Sequence, residues 1–268
     1  MTKFIRLTFV AAFFILFCQL GYTAGYLAHD GDERMQPTQH KSKMERVSAG
    51  SRIIGSGNLF TEVRDIKSIK AVQLSGFGHL TLLQGKEEKL SITADDNLMP
   101  HISSEIDDGH LLLGIKMPDD VVMVQPSKPI EYQLTIKDLN NIRLNGSGKI
   151  EANDVLRLED LELEVNGSGQ VSLNLQSKQL ETEIAGSGSV EIKGSVEEQE
   201  IEIMGSGSYK ANELTSEKAN VKIMGSGDVH LQVSDFLACK IYGSGSIYYK
   251  GTPKLTKKIY GSGTVKQE

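Results

Sequence analysis

The side chains able to do chemistry are few and scattered. The six histidines, His29, His40, His79, His101, His110 and His230, make no His-x-x-x-His pair and no Cys/His ligand set. The acid pairs Asp95-Asp96, Asp107-Asp108 and Asp119-Asp120 lack the alternating Asp/Asn pattern of a calcium loop and read as turns. Gly-Ser-Gly recurs through the chain. It lacks both the Gly-x-Gly-x-x-Gly spacing and the following Lys-Ser/Thr that a phosphate loop needs. No nucleophile elbow is present. The sequence therefore predicts no catalytic residue, no metal site and no cofactor, and the expected protein is not an enzyme.

Two side-chain columns stand out when the chain is aligned on each Gly-Ser-Gly. Three and five residues before the first Gly lie Glu162, Glu164, Glu181, Glu183, Glu200 and Glu202. They are expected on one outward face of three consecutive coils, either as a site for a cation or basic partner or as a solvated face relieved by screening and neighbouring lysines. One residue before the Gly lie Met204, Met224, Tyr242 and Tyr260, with Tyr248 across the corner. These form an expected outward apolar stripe, either a contact surface or a strip covered by linker or loop.

The elements that hold these columns follow from the repeat. Gly-Ser-Gly begins at Gly146, Gly167, Gly186, Gly205, Gly225, Gly243 and Gly261, at spacings of 21, 19, 19, 20, 18 and 18 residues. A fixed period near 20 marks a solenoid. Two residues before the Gly stand Leu144, Val165, Ile184, Ile203, Ile223, Ile241 and Ile259, and four after it Ile150, Val171, Val190, Tyr209, Val229, Ile247 and Val265. Apolar residues thus alternate on both flanks, as half-buried strands require. One coil cannot bury its own apolar edge, but stacked coils line like residues into inward ladders. The expected fold is all-β: a parallel β-helix or β-solenoid with coils of about 20 residues, right-handed by the crossover preference of parallel strands. Cys239 takes an inward position and is expected in the core, and Lys257 breaks that column in the last coil, as a terminal coil requires.

Residues 1–25 read as a signal peptide. Lys3 and Arg6 precede an apolar run, Leu7 to Leu20, that is short for a membrane span, and Thr23-Ala24-Gly25 offers a cleavage site. An uncleaved anchor is the alternative. Phe17 stands before Cys18, where lipidation needs a small residue. Losing Lys3 and Arg6 takes the formal charge from −6 to −8. Residues 26–51 are polar and aperiodic, and read as a disordered linker. The solenoid is expected over 52–268, with wider irregular coils at 52–140 and regular ones at 141–268. An earlier Gly-Ser-Gly at Gly55 reads as a further copy, and Ser75-Gly76-Phe77-Gly78 as a degenerate one. With 35 acidic against 29 basic residues the chain lacks the footprint of a nucleic-acid binder.

Several segments resemble the bacterial family of the putative auto-transporter adhesin, head GIN domain. They are Val72-Gln73-Leu74-Ser75-Gly76-Phe77-Gly78, Leu82-Leu83-Gln84-Gly85, Ala94-Asp95-Asp96-Asn97-Leu98, Asp108-Gly109-His110-Leu111, the serial Gly-Ser-Gly coils, and Tyr242 to Pro253. The resemblance spans roughly residues 52–268. It implies an exported β-helical head at a bacterial surface and supplies no catalytic residues. No translocator of its own is expected after Gly261. The expected function is an exported envelope or surface binding module, of an adhesive kind, holding a protein or glycan. Its place is the periplasm, the outer surface or the medium. The alternatives are a polysaccharide-acting β-helix enzyme, against which coils of 18–21 residues leave little room for cleft-forming loops, and a purely structural envelope protein.

Overall fold

Alternating β-branched and polar residues between glycine corners give long extended segments, and the computed structural model describes them over residues 51–119 and 121–268. The expected signal peptide and nearly all of the linker lie outside these residues. Strands Gln170–Gly186, Ser189–Gly205, Ser208–Gly225 and Asp228–Gly243 each serve two flanks of the solenoid, one after a corner and one before the next. Every neighbouring pair in this run is parallel. The result is a β-solenoid of about 7 turns.

The corners stack in one line. Gly76, Gly146, Gly167, Gly186, Gly205, Gly225, Gly243 and Gly261 are successive partners in register. Gly167 shows why a side chain is barred: its φ is +120°, and an added Cβ would lie 2.6 Å from the carbonyl oxygen of Gly146. That carbonyl instead accepts the amide N–H of Ser168, at 3.0 Å. The same inter-coil bond recurs from Ser147 to Ser262, so the corner is itself a hydrogen-bonded ladder.

Inside, Leu144, Val165, Ile184, Ile203, Ile223 and Ile241 are fully buried, as are Ile150, Val190, Tyr209, Val229 and Ile247. Burying each such side chain contributes on the order of 1.5–3 kcal/mol. The ladder is not wholly apolar. Tyr209 Oη donates to Gln199 Oε1 at 3.0 Å, Gln199 Nε2 donates to Ser216 Oγ at 2.7 Å, and Ser216 Oγ donates to the Gln232 carbonyl at 2.9 Å. This chain satisfies four polar groups that burial would otherwise penalise.

Chain order and stacking order part company before residue 141. Strand Ala71–Gly76 pairs in parallel with Asn141–Gly146 on one side and His110–Ile115 on the other. Strand His79–Gln84 lies likewise between Lys149–Arg157 and Glu131–Ile136. So residues 110–136 build the outermost turn, and the chain then passes back over the 71–84 turn. The outer parallel edges are taken by antiparallel strands: Lys89–Asp95 on Glu131–Ile136, Leu59–Arg64 on Lys89–Asp95, and Ile102–Asp107 on His110–Ile115. Where the sequence pattern reads as wider coils, the structure adds these antiparallel strands to the parallel stack. Gly76 does stack as the first corner. Gly55-Ser56-Gly57 does not: it follows strand Ser51–Ile54, which pairs with Val121–Gln125 in a separate parallel ribbon.

Candidate functional site

The outward columns are set by the same register that aligns the corners. Glu162, Glu181 and Glu200 are partners on successive coils, and so are Glu164, Glu183 and Glu202. The grid is closed by cations at both ends. Arg143 grips Glu164 with two guanidinium nitrogens, and Lys222 Nζ lies 2.8 Å from Glu202 Oε1. Asn141 Nδ2 donates to Glu162 Oε2 at 3.0 Å. Among the described residues the two middle ones, Glu181 and Glu183, have no such partner. Burial, then the neighbouring carboxylates, holds the carboxyls of Glu181 and Glu183 above their usual range. Among the described residues no group of His, Cys, Asp or Glu side chains is arranged to hold a metal ion.

Met204, Met224, Tyr242 and Tyr260 likewise form one column in register. The two tyrosines stack with ring centroids 4.9 Å apart and planes at 8°. They are 39 % and 55 % exposed, whereas both methionines are half-buried. Lys240 Nζ lies 5.1 Å from the Tyr242 ring centroid, a cation–π contact. Tyr248 lies on the other side of the corner. It stacks on His230 of the preceding coil at 4.6 Å and 14°. The three tyrosines thus take part in two aromatic stacks, one on each flank of the same corner line, the second completed by His230. Cys239 is buried in the inward column, and burial pushes its thiol up to about 12.

Three features had no prominence in the sequence. The first is Asp95, which the acid pairing suggested was a turn residue. Its carboxylate is buried, and it accepts from Gly57 N–H at 2.8 Å, Ser127 N–H at 2.9 Å and Ser127 Oγ at 2.6 Å. The Ser127 hydroxyl, outweighing desolvation, holds its pKa below the usual value. Asn97 adds bonds to Ser56 N–H and the Ile54 carbonyl. These groups pin the Gly55-Ser56-Gly57 segment, so its Gly-Ser-Gly serves a latch and not a coil corner.

The second feature is an interruption of the corner line. After Ile115 the chain leaves the solenoid, forms strand Val121–Gln125, and returns at Ile130. This is a cleft-forming excursion of the kind that the short regular coils elsewhere leave no room for. The third is a pair of clefts at its base. One, of about 390 Å³, is mostly apolar and is walled by Phe77, Leu112, Ile115, Met117 and Val124. The other, of about 540 Å³, is also mostly apolar by area, with Phe77, Pro126 and Pro129 on its wall, but it alone of the two is lined by charged side chains, Lys128, Glu131 and Lys149, beside His79 and Ser127. Both volumes fall in the range of small-molecule sites. His79 Nδ1 lies 2.9 Å from Glu131 Oε2. Its Nε2 lies 3.0 Å from Glu151 Oε1, within ion-pair reach but misaligned for a hydrogen bond. Lys149 pairs with Glu151. Phe77 belongs to both clefts, and a signal for it was present: it occupies the corner position that is Ser in every later coil.

Serial glycine corners, inward β-branched ladders and an outward aromatic column define a repeat solenoid whose accessible chemistry lies on its flanks. The chain belongs to the family described as "Putative auto-transporter adhesin, head GIN domain", which matches residues 69–253. Among solved structures, it is similar to a putative adhesin from Bacteroides fragilis, at 25 % identity and a TM-score of 0.75, covering 81 % of this chain and 100 % of that one. It is similar also to a putative lipid binding protein from Parabacteroides distasonis, at 25 % identity and a TM-score of 0.69, with the same coverage of both chains. No curated protein matches the chain.

Proposed function

We propose that this chain is an exported binding module of the bacterial envelope, adhesive in kind and without catalysis. It holds a surface protein or glycan through the Met204, Met224, Tyr242 and Tyr260 column and Tyr248 beside it. The observation that carries this reading is the stack of Tyr242 on Tyr260, both exposed, in register over two methionine coils. A flat apolar ring with a polar tip suits both sugar faces and protein hot spots. The acidic grid carries less, because Arg143 and Lys222 already neutralise its ends and exposed charge is screened by salt. The test is binding of the chain to whole cells and to a glycan array, compared with the triple change Tyr242→Ala, Tyr248→Ala and Tyr260→Ala. We expect the variant to keep its melting temperature and lose at least tenfold in affinity. A folded triple variant with undiminished binding removes the stripe from the function.

One further observation favours a second reading, the binding of a lipid: the apolar cleft beside Phe77. The name of the Parabacteroides distasonis relative points the same way.

A further inference from the structure

We propose that the two clefts flanking Phe77 are one binding site for a long-chain carboxylate. Its acyl chain would lie on the Leu112 side and its anionic head on the Lys128 side. This inference rests on the lipid reading above and makes it specific.

The argument starts at the corner line. Seven later corners carry Ser where this one carries Phe77, and Phe77 is 37 % exposed. A regular corner has a corner of the next coil stacked on it. On its outer side Phe77 has none, because the chain has left the solenoid between Ile115 and Ile130. The gap is therefore built by the topology, and an aromatic stands in the middle of it. On one side the walls are Leu112, Ile115, Met117 and Val124. Of these Met117 is 55 % exposed. Such walls gain from covering by hydrocarbon and give a polar ligand little to bond.

The other side sets the head. His79 is occupied by Glu131 and Glu151, and Lys149 by Glu151. Lys128, in contrast, makes no ion pair among the described residues. Glu131, the carboxylate on this wall, faces the His79 imidazole, so Lys128 is the wall's one charged group without a partner among the described residues. Lys128 and the Ser147 hydroxyl offer donors to an anionic head, whereas both donors of Ser127 are already given to Asp95. The two compartments meet at Phe77, so a ligand that fills both must be amphipathic. A single chain fits the smaller, apolar cleft of about 390 Å³.

The experiment uses the whole chain, with calorimetric titration of monomeric decanoate, dodecanoate, dodecyl maltoside and dodecyltrimethylammonium below their micelle concentrations. We expect saturable one-site binding of dodecanoate. It should be roughly fifteenfold tighter than decanoate, since each buried methylene is worth about fourfold. The cationic probe should bind at least tenfold more weakly. Phe77→Ser restores the residue of the other corners and should fold. It should lose at least tenfold in affinity, as should Leu112→Asp on the outward wall. Lys128→Glu should weaken dodecanoate at least threefold and leave dodecyl maltoside unchanged. Tyr242→Ala at the far end should bind like the parent. If no probe binds saturably, the lipid reading and this site fall together. If dodecanoate binds the parent and the folded Phe77→Ser and Leu112→Asp variants equally, lipid binding stands and the site assigned here is wrong. Equal affinity for the anionic and cationic probes also overturns it, because the head would then not meet Lys128.

Discussion

Glu183 lies in the middle of the carboxylate grid, and its environment can be tested by pH. Burial first, and Glu164, Glu202, Glu181 and Glu162 after it, raise its pKa above the ordinary 4.5, and Glu181 is raised in the same way. The folded state therefore holds these protons more tightly than the unfolded chain does. Stability falls as pH rises from about 4.5 through the raised values, and the penalty is complete at neutral pH. Glu183→Gln keeps the shape and removes the charge. We expect it to raise the melting temperature at pH 7 by about 1–2 °C, the scale of one relieved like-charge contact. The gain should vanish at pH 4, where the parent carboxyl is protonated. A gain that is unchanged between pH 7 and pH 4 would mean that the neighbours do not act through charge. Asp95 has the opposite sign. Its lowered pKa contributes stability above about 3.8 that is lost as pH falls further, so the acid arm of the same curve reports the latch. The grid was legible in the sequence because like residues recur at one offset from Gly. Asp95 was not, because its partners Gly57 and Ser127 lie 38 and 32 residues away and share no period with it.

At the scale of the strand, direction alternates with each residue, and neighbouring positions must differ sharply in tolerance. Ile203 is fully buried between Ile184 and Ile223, while Glu202 lies beside it on the outside. Ile203→Asp places an unpaired charge in the ladder at a cost of several kcal/mol. We expect no cooperative melting transition for that variant. Glu202→Ala loses the ion pair to Lys222, worth about 1 kcal/mol or less at a surface, and relieves Glu183 in exchange. Its melting temperature should stay within about 3 °C of the parent. Circular dichroism melts check both, and equal behaviour of the two variants would contradict the direction of every residue in the column. The strands of residues 141–268 could be read from the sequence for this reason. Each position is constrained twice, by alternation along the chain and by its equivalents above and below. Strands Leu59–Arg64, Ile102–Asp107 and Val121–Gln125 have no such equivalents. Their residues are mostly exposed or half-buried, so alternation alone did not mark them. Phe77 fell between the two cases. Its corner was recognisable by its glycines, but the cleft around it depends on where residues 116–130 go, and no local pattern encodes that.

Over the whole molecule, the two ends of the stack are finished differently. At the outer end of the 71–136 region the parallel edges are covered by antiparallel strands Lys89–Asp95 and Ile102–Asp107. At the other end the last coil, Lys254–Gly261 and Thr264–Gln267, pairs on one side only among the described residues. Its open edge would be a template for a second chain. Lys254, Lys257, Lys258 and Lys266 are exposed along it, and Lys257 replaces the inward residue that is Cys239 one coil earlier. Two such edges brought together would oppose like charges. The partly buried Leu255, Ile259 and Val265 beside them supply the apolar surface that association would otherwise cover. We therefore expect Lys254→Thr, Lys257→Val, Lys258→Thr and Lys266→Thr together to make the chain self-associate. Since the other parallel edge is already occupied, two copies can meet only by their last coils. A two-fold contact of that kind closes, so the product should be a dimer and not a fibre. Sedimentation of parent and variant over a range of concentrations measures this. A variant that sediments like the parent would show that the open edge is blocked by something other than its lysines, and extended polymers would show that the first turns are not capped by their antiparallel strands.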